Sequence, residues 1–350
     1  MTITFKDKVA LVTGGGNGLG REYCLALAGL GARVVVNDLG GTLDGSGGDS
    51  AAAQPTAAQP TAAQPATVQP AADQPASNQP TAAQPAAALS AAEKVAAEIR
   101  SLGGEAIAST ADITDYDQVK GMTEEAMNKW GRIDILINNA GILRDKTFSK
   151  MSPEDFQKVV DVHLFGTMNC TKLVWDIMKA QGYGRILLTS SSSGLFGNFG
   201  QSNYGAAKAA MVGLMNVLHH EGAKYDIRVN CLAPTAATRM LDGLLPEKVE
   251  ALMAPKLVAP GALYLVSDEA PSKTILGAGA GSFSVIRISE TPGVFLGGEE
   301  TTVDDVAKNW ATISNPEGQT EMAAAFEQTN KFVELSAKAL GITLNTDRGR

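Results

Sequence analysis

The sequence predicts a doubly wound α/β fold, one parallel sheet covered by helices on both faces. Three observations carry this. Short apolar, β-branched runs alternate with stretches of helical periodicity from Lys8 to Ala233, the first run ends in a glycine turn that opens a helix, and the second ends on an aspartate. Alternation of that kind lays strands side by side and returns the chain through helices that cover the sheet.

Taken in order, KVALVT (Lys8–Thr13) is the first strand. The stretch to Gly31 is the first helix, with Leu19, Tyr23, Leu25, Ala26 and Leu30 at helical intervals. ARVVVND (Ala32–Asp38) is apolar and β-branched, the composition of a strand buried on both faces. SAAE (Ser90–Glu93) has the form of a capping box and opens a helix that stops at Gly103 and Gly104. EAIAST is a third strand, Asp115–Trp130 a helix and RIDILINN (Arg132–Asn139) a fourth strand. SPED (Ser152–Asp155), with Ser as N-cap and Pro in the first turn, starts a helix running to about Ala180. RILLTS (Arg185–Ser190), Asn203–Tyr225 and IRVNCLA (Ile227–Ala233) supply a fifth strand, a long helix and a sixth strand. AGAGSFSVIRISE (Ala278–Glu290) is a further strand, and Val303–Leu340 supplies helices anchored by Trp310, Phe326 and Phe332.

A Gln-Pro pair recurs seven times between Ala52 and Pro85. The second strand lies before this tract and its crossover helix after it, so the tract interrupts one domain rather than separating two. Residues Ala51–Ala88 hold one charge (Asp73), no aromatic residue and one β-branched aliphatic (Val68), which leaves almost nothing to bury against a core. Proline at every fifth residue blocks regular helix and strand. The expected organisation is one α/β domain over residues 1–300, interrupted at 51–88, followed by a helical extension over 301–350.

Composition excludes several functions. With 44% apolar residues and a net charge of −8 there is ample core material and no basic excess, which argues against electrostatic binding to nucleic acid or anionic lipid. Cys24, Cys170 and Cys231 are far apart, with no spacing that suggests a disulfide framework or a metal site. No segment approaches the roughly 18 apolar residues of a membrane span, and the N-terminus lacks a leader-like apolar run. A cytoplasmic or organelle-matrix protein is expected; the last residues, DRGR, are not a peroxisomal address, and a peroxisomal site stays open for a eukaryotic source.

TGGGNGLGRE (Thr13–Glu22) stands where the first strand hands over to the first helix. Gly14, Gly18 and Gly20 let the backbone approach a pyrophosphate, and the helix N-terminus adds free N–H groups and positive partial charge. Asp38 closes the second strand, where a carboxylate bonds a ribose 2′-hydroxyl and repels a 2′-phosphate. NAD is therefore favoured over NADP, although Arg21 and Arg33 stand close enough in sequence to weaken that preference. Tyr204 and Lys208 are four apart on one helix face, which brings an ammonium beside a phenol and is expected to lower the phenol pKa. Tyr204 then serves as general acid/base, and Ser191 hydrogen-bonds the oxygen whose proton Tyr204 exchanges.

TGGGNGLG, NNAG (Asn138–Gly141), Ser191 and YGAAK, in that order and spacing, resemble the short-chain dehydrogenase/reductase family with its Rossmann fold. VVVNDLGG, RIDILINNAGILRD, GLFGNFGQSNYGAAK and TRMLDGLLPEKVEALMAPKLVAP narrow the likeness to the (3R)-hydroxyacyl-CoA dehydrogenase units of the type 2 peroxisomal multifunctional enzymes. The resemblance covers most of the chain apart from the insertion. It implies NAD-dependent oxidation of a (3R)-hydroxyacyl-CoA, or of a 17β-hydroxysteroid, in a homodimer or a tetramer built from dimers. It makes Ser191, Tyr204 and Lys208 catalytic. Gly14, Asn17, Gly18, Leu19, Gly20, Asp38, Asp112, Ile113, Asn139, Ala140, Gly141, Tyr204 and Lys208 become cofactor contacts, with no metal, and Thr235–Leu244 becomes a mobile lip over the substrate. In one position the chain departs from the wider family: where an Asn helps hold a water near the lysine, DVHLFG places His163. That histidine either takes over the role through its ring or carbonyl or is a packed helix residue.

The extension beyond the last strand either helps form an acyl-CoA pocket, as the resemblance implies, or is a packing arm. Three functions compete: a hydroxyacyl-CoA dehydrogenase, the same chemistry on a steroid or other secondary alcohol, and a non-catalytic protein that senses NAD. An intact Ser-Tyr-Lys set speaks against the last.

Overall fold

A computed structural model describes residues 2–42, 44–45, 89–237 and 247–344. The Gln-Pro tract and most of the expected substrate lip lie outside them. The described chain forms two compact units, Met1–Ser284 and Val285–Arg350.

β1 (Val9–Thr13), β2 (Arg33–Asn37), β3 (Glu105–Ser109), β4 (Ile135–Asn138), β5 (Gly184–Thr189), β6 (Ile227–Thr235) and β7 (Ile275–Gly279) of the first unit, with β8 (Ser282–Ile286) at its end, form one sheet in the order β3-β2-β1-β4-β5-β6-β7-β8. Pairing from β3 through β7 is parallel. All of β1, β4 and β5 is buried, as continuous apolar runs between two helical layers require. The order reverses direction between β1 and β4. At such a switch point the strand ends diverge and leave a crevice at the carboxyl edge of the sheet. β7 and β8, expected as a single strand from Ala278, are instead joined by Ala280 and Gly281, at φ 49° and 72°. Two consecutive positive φ values make a tight hairpin turn, so β8 runs back along β7.

The helices begin where the sequence signals them. In α1 (Gly18–Gly29) the glycine turn feeds straight into the helix. α2 (Ala91–Ser101) is capped by Ser90, whose Oγ accepts from Glu93 N at 3.1 Å. The reciprocal half of the expected box does not form, because the Glu93 carboxylate turns to Arg100. α3 (Tyr116–Trp130) is capped by Asp115, which accepts from Asp117 N and Gln118 N; these bonds hold its carboxyl below the usual range. α4 (Pro153–Val160) and α5 (Gly166–Gln181) are one helical run interrupted by a π-turn at Asp161–Phe165. α6 (Ser192–Phe196) is a short helix before α7 (Ser202–Gly222), and α8 (Glu247–Leu252) and α9 (Ala259–Tyr264) follow β6.

The second unit holds a two-stranded ribbon of β9 (Ser289–Glu290) and β10 (Thr320–Glu321), with α10 (Val303–Lys308), α11 (Trp310–Ile313) and α12 (Ala325–Leu340). A full capping box forms at Thr302 and Asp305. Trp310, Phe326 and Phe332 are not anchors: they are 61%, 77% and 48% exposed. Polar ties do part of that work, with Lys331 paired to Glu290 at 3.3 Å and Arg287 to Glu321 at 2.7 Å.

Candidate active site

A cleft of about 650 Å³ opens at the carboxyl edge of the sheet over the switch point. Every site residue expected from the sequence lines it except Gly20. Gly20 lies beneath, where a Cβ would stand 2.0 Å from the Gly14 carbonyl oxygen. Its role is to let α1 pack on the turn. Gly14 does need its glycine twice over: φ is 62°, and a Cβ would meet Ala140 Cα at 2.8 Å.

The floor is stitched between strands. Thr13 Oγ1 accepts from the backbone N–H of Asn139 and Ala140 at 3.0 and 3.1 Å, while Asn139 Nδ2 donates to the Thr13 and Gly14 carbonyls, each at 3.1 Å. Asn139 thus braces β4 against the glycine turn. Asp38 is held by two backbone donors, Gly16 N and Gly40 N, both at 2.9 Å, one to each carboxylate oxygen. Asp112 accepts from Thr114 N and Oγ1, and Asn169 of α5 donates to the Ile113 carbonyl at 3.0 Å, fixing that loop from below. These surroundings fit a dinucleotide: a glycine turn without side chains at a helix N-terminus, with a fixed carboxylate at the end of β2.

Ser191, Tyr204 and Lys208 come together on the opposite wall. Ser191 is the N-cap of α6, and its Oγ accepts from Ser193 N at 3.2 Å, which leaves its O–H as a donor, directed at Tyr204. Lys208 is 4% exposed and donates to the Thr189 carbonyl at 2.7 Å. Its Nζ lies 5.6 Å from the Tyr204 ring centre. Gly194 allows this wall to form, since a Cβ there would stand 2.7 Å from Lys208 and Ala209 backbone atoms.

The Tyr204 phenol departs from the sequence expectation. Burial raises the Tyr204 phenol above its ordinary value, opposed by a hydrogen bond with Ser191 and supported by the nearby Asp145 charge. The expected lowering by Lys208 is missing because the lysine is itself desolvated and pushed down to about 7. This has a measurable consequence. Between pH 7 and the ordinary lysine value the unfolded chain binds a proton that the folded chain does not, so stability from this group rises with pH. In urea melts, Lys208→Met is expected to be the more stable protein at pH 7, with its advantage shrinking by about 1 kcal/mol per unit up to pH 9. A constant gap would show that Lys208 stays charged when folded.

His163 sits on the π-turn, 2% exposed, with its ring 5.2 Å from that of Tyr204 in edge-to-face geometry. Its Nε2 faces both Ile142 N at 3.2 Å and Ile142 O at 2.9 Å, and Nδ1 has no partner. Burial, and then the Lys208 charge, hold it well below the ordinary imidazole value, so the ring is neutral at pH 7. Sequence reasoning missed the π-turn, the bracing Asn169 and the polar cluster around Gln201. A one-residue widening of a helix leaves no period of its own in the hydrophobic pattern.

Among the described residues no helix is long and apolar enough to cross a membrane, and no group of three or more His, Cys, Asp or Glu side chains is placed to hold a metal. Comparison with known proteins agrees with the geometry. The short chain dehydrogenase family model matches residues 70–248. A short-chain type dehydrogenase/reductase of Mycobacterium tuberculosis is 40% identical over 314 residues, 89% of this chain and 96% of that protein. The structure of full-length peroxisomal multifunctional enzyme type 2 from Drosophila melanogaster matches with a TM-score of 0.72 and 30% identity, over 96% of this chain and 50% of that one. This chain therefore spans about half of that enzyme. A 7α-hydroxysteroid dehydrogenase, solved with NADH and 7-oxo glycochenodeoxycholic acid, matches with a TM-score of 0.61 and 27% identity, over 80% of this chain and 95% of that one.

Proposed function

The chain belongs to the short-chain dehydrogenase/reductase family, and from that premise we propose that it oxidises (3R)-hydroxyacyl-CoA thioesters to 3-ketoacyl-CoA with NAD. The observation that carries this reading is one cleft that joins Ser191, Tyr204 and Lys208 to the glycine turn and Asp38. Bound NAD would supply the acceptor for the C3 hydride. Tyr204, as phenolate, would take the hydroxyl proton, while the O–H of Ser191, which is hydrogen-bonded to Tyr204, would donate to the same substrate oxygen and hold it in place. Lys208, fixed to the Thr189 carbonyl, stands with its Nζ 5.6 Å from the Tyr204 ring centre. Gly14, Asn17, Gly18 and Leu19 would hold the pyrophosphate side, and Asp38 the adenosine ribose.

The preference for NAD is supported by what the two arginines do. Arg21 pairs with both oxygens of Glu98 at 2.7 and 2.8 Å, and Arg33 with Glu105 at 3.4 Å. Both are engaged away from a 2′-phosphate. Asp38→Ala is expected to raise KM for NAD and to narrow the NAD to NADP preference by at least tenfold, since it removes an acceptor and a repulsive charge together. An unchanged cofactor ratio takes Asp38 out of the site.

A second reading, a hydroxysteroid as substrate, is favoured by the likeness to 7α-hydroxysteroid dehydrogenase. Initial rates of NADH formation with a (3R)-hydroxyacyl-CoA and with a hydroxysteroid separate the two. Faster turnover of the steroid, at equal concentration, overturns the thioester reading. NAD binding without turnover of either would favour a sensor.

A further inference from the structure

Four polar side chains in the cleft wall form a directed chain that the catalytic set does not use. Gln201, three residues before Tyr204, donates through Nε2 to Asp145 Oδ2 at 2.6 Å. Its Oε1 accepts from Ser193 Oγ at 2.7 Å and from Asn198 Nδ2 at 3.1 Å. A backbone bond from Lys146 N to the Gly200 carbonyl, 2.9 Å, ties the two segments together. Asp145, Ser193, Asn198 and Gln201 all line the cleft.

The direction of these bonds follows from proton count. A carboxylate has lone pairs and no proton, so Gln201 must turn its NH₂ toward Asp145 and its carbonyl oxygen away. That oxygen takes the one hydroxyl proton of Ser193, so Ser193 presents lone pairs to the cleft. Ser191 has the opposite polarity, because its Oγ already accepts from Ser193 N and its proton is the donor in the hydrogen bond with Tyr204, at the reacting end of the cleft. Two serines, two residues apart, thus face the cleft as donor and acceptor. The donor suits the reacting oxygen. A substituent that lies against the acceptor must be uncharged or bring a proton of its own, since an anionic carboxylate would meet lone pairs backed by Asp145.

We propose that Gln201 is a specificity-determining residue, oriented by Asp145, that makes Ser193 an acceptor wall and so selects neutral 3-hydroxyacyl thioesters over free 3-hydroxy acids. This rests on the cleft being a hydroxyacyl thioester site. Asp145 acts through Gln201 and is a positioning residue. In Asp145→Asn the side chain can donate as well as accept, the Gln201 amide can reverse, and Ser193 can point its proton into the cleft.

The test compares acetoacetate with its N-acetylcysteamine thioester, by calorimetric binding to the protein loaded with NADH and by steady-state reduction. Wild-type protein is expected to prefer the thioester. In Asp145→Asn and in Gln201→Leu the preference is expected to fall about tenfold, through tighter binding and a lower KM of the free acid; loss of the Asp145 charge also relieves the raised Tyr204 phenol, which moves kcat for both ligands together and leaves their ratio to report the wall. A purely structural role would weaken both ligands together and leave their ratio unchanged, which overturns the proposal. Equal wild-type affinity for the two also overturns it, since the Lys158 ammonium, which lines the same cleft, would then outweigh the wall. Selective binding without turnover would leave the wall standing and sink the proposed reaction instead. Failure of both ligands to bind wild-type protein counts against both.

Discussion

Tyr204→Phe is expected to bind NAD as the wild-type protein does and to lose turnover by roughly 10² to 10⁴, the range for removal of a general acid/base. The ring keeps its edge-to-face contact with His163, so the packing of the wall is conserved. The exchangeable proton is what disappears. Because burial raises the phenol, only a small fraction of Tyr204 is ionised near neutral pH, and alcohol oxidation should climb with pH in wild-type protein. Ketone reduction, which needs the protonated phenol, should not climb with it. Both the residual rate and its pH dependence are therefore informative: Tyr204→Phe should be slow and nearly flat across the range where wild-type oxidation rises. Turnover within tenfold of wild type, or an unchanged pH slope, would remove Tyr204 from the proton path.

What the sequence made legible follows a physical division. The strands were readable because a sheet covered on both faces needs uninterrupted apolar runs, and VALVT and RVVVN leave no other use for themselves. Helix starts were readable wherever a side chain satisfies orphan N–H groups, as Ser90, Asp115 and Ser152 do. That Gly14, Gly18 and Asp38 share one cleft is legible because glycines at one strand end and a carboxylate at the next strand end lie side by side at the carboxyl edge of a parallel sheet. Other features depend on contacts between elements distant in sequence. Asn169 meets the Ile113 carbonyl from 56 positions away, and Gln201 meets Asp145 across the same 56. No local pattern encodes either bond. The phenol expectation failed for a related reason: an i, i+4 spacing brings two groups to one face, but whether the ammonium keeps its charge depends on burial set by the whole wall. The exposure of Trp310, Phe326 and Phe332 is not legible from residue type, which does not say which face of a helix meets a core.

The interlock of Gly141 and His163 offers the sharpest test of the wall itself. Gly141 is not in a left-handed conformation, so its glycine is not demanded by the backbone. It is demanded by the imidazole: a Cβ there would stand 2.2 Å from His163 Cε1 and 3.0 Å from Nδ1. The ring cannot retreat cheaply, since Nε2 is clasped by Ile142 and the ring packs perpendicular to that of Tyr204. Gly141→Ala is therefore expected to cost about 3 kcal/mol of stability in urea melts, from overpacking together with the lost Ile142 hydrogen bond. His163→Ala is expected to cost a similar amount, about 3 kcal/mol, by leaving a cavity. In the double variant the new methyl enters the space the ring has left. The combined loss should then fall short of the sum by about 2 kcal/mol, the size of coupling that direct contact produces. Losses that simply add would mean that the ring and the glycine do not meet, and that the π-turn has set His163 elsewhere than against the end of β4.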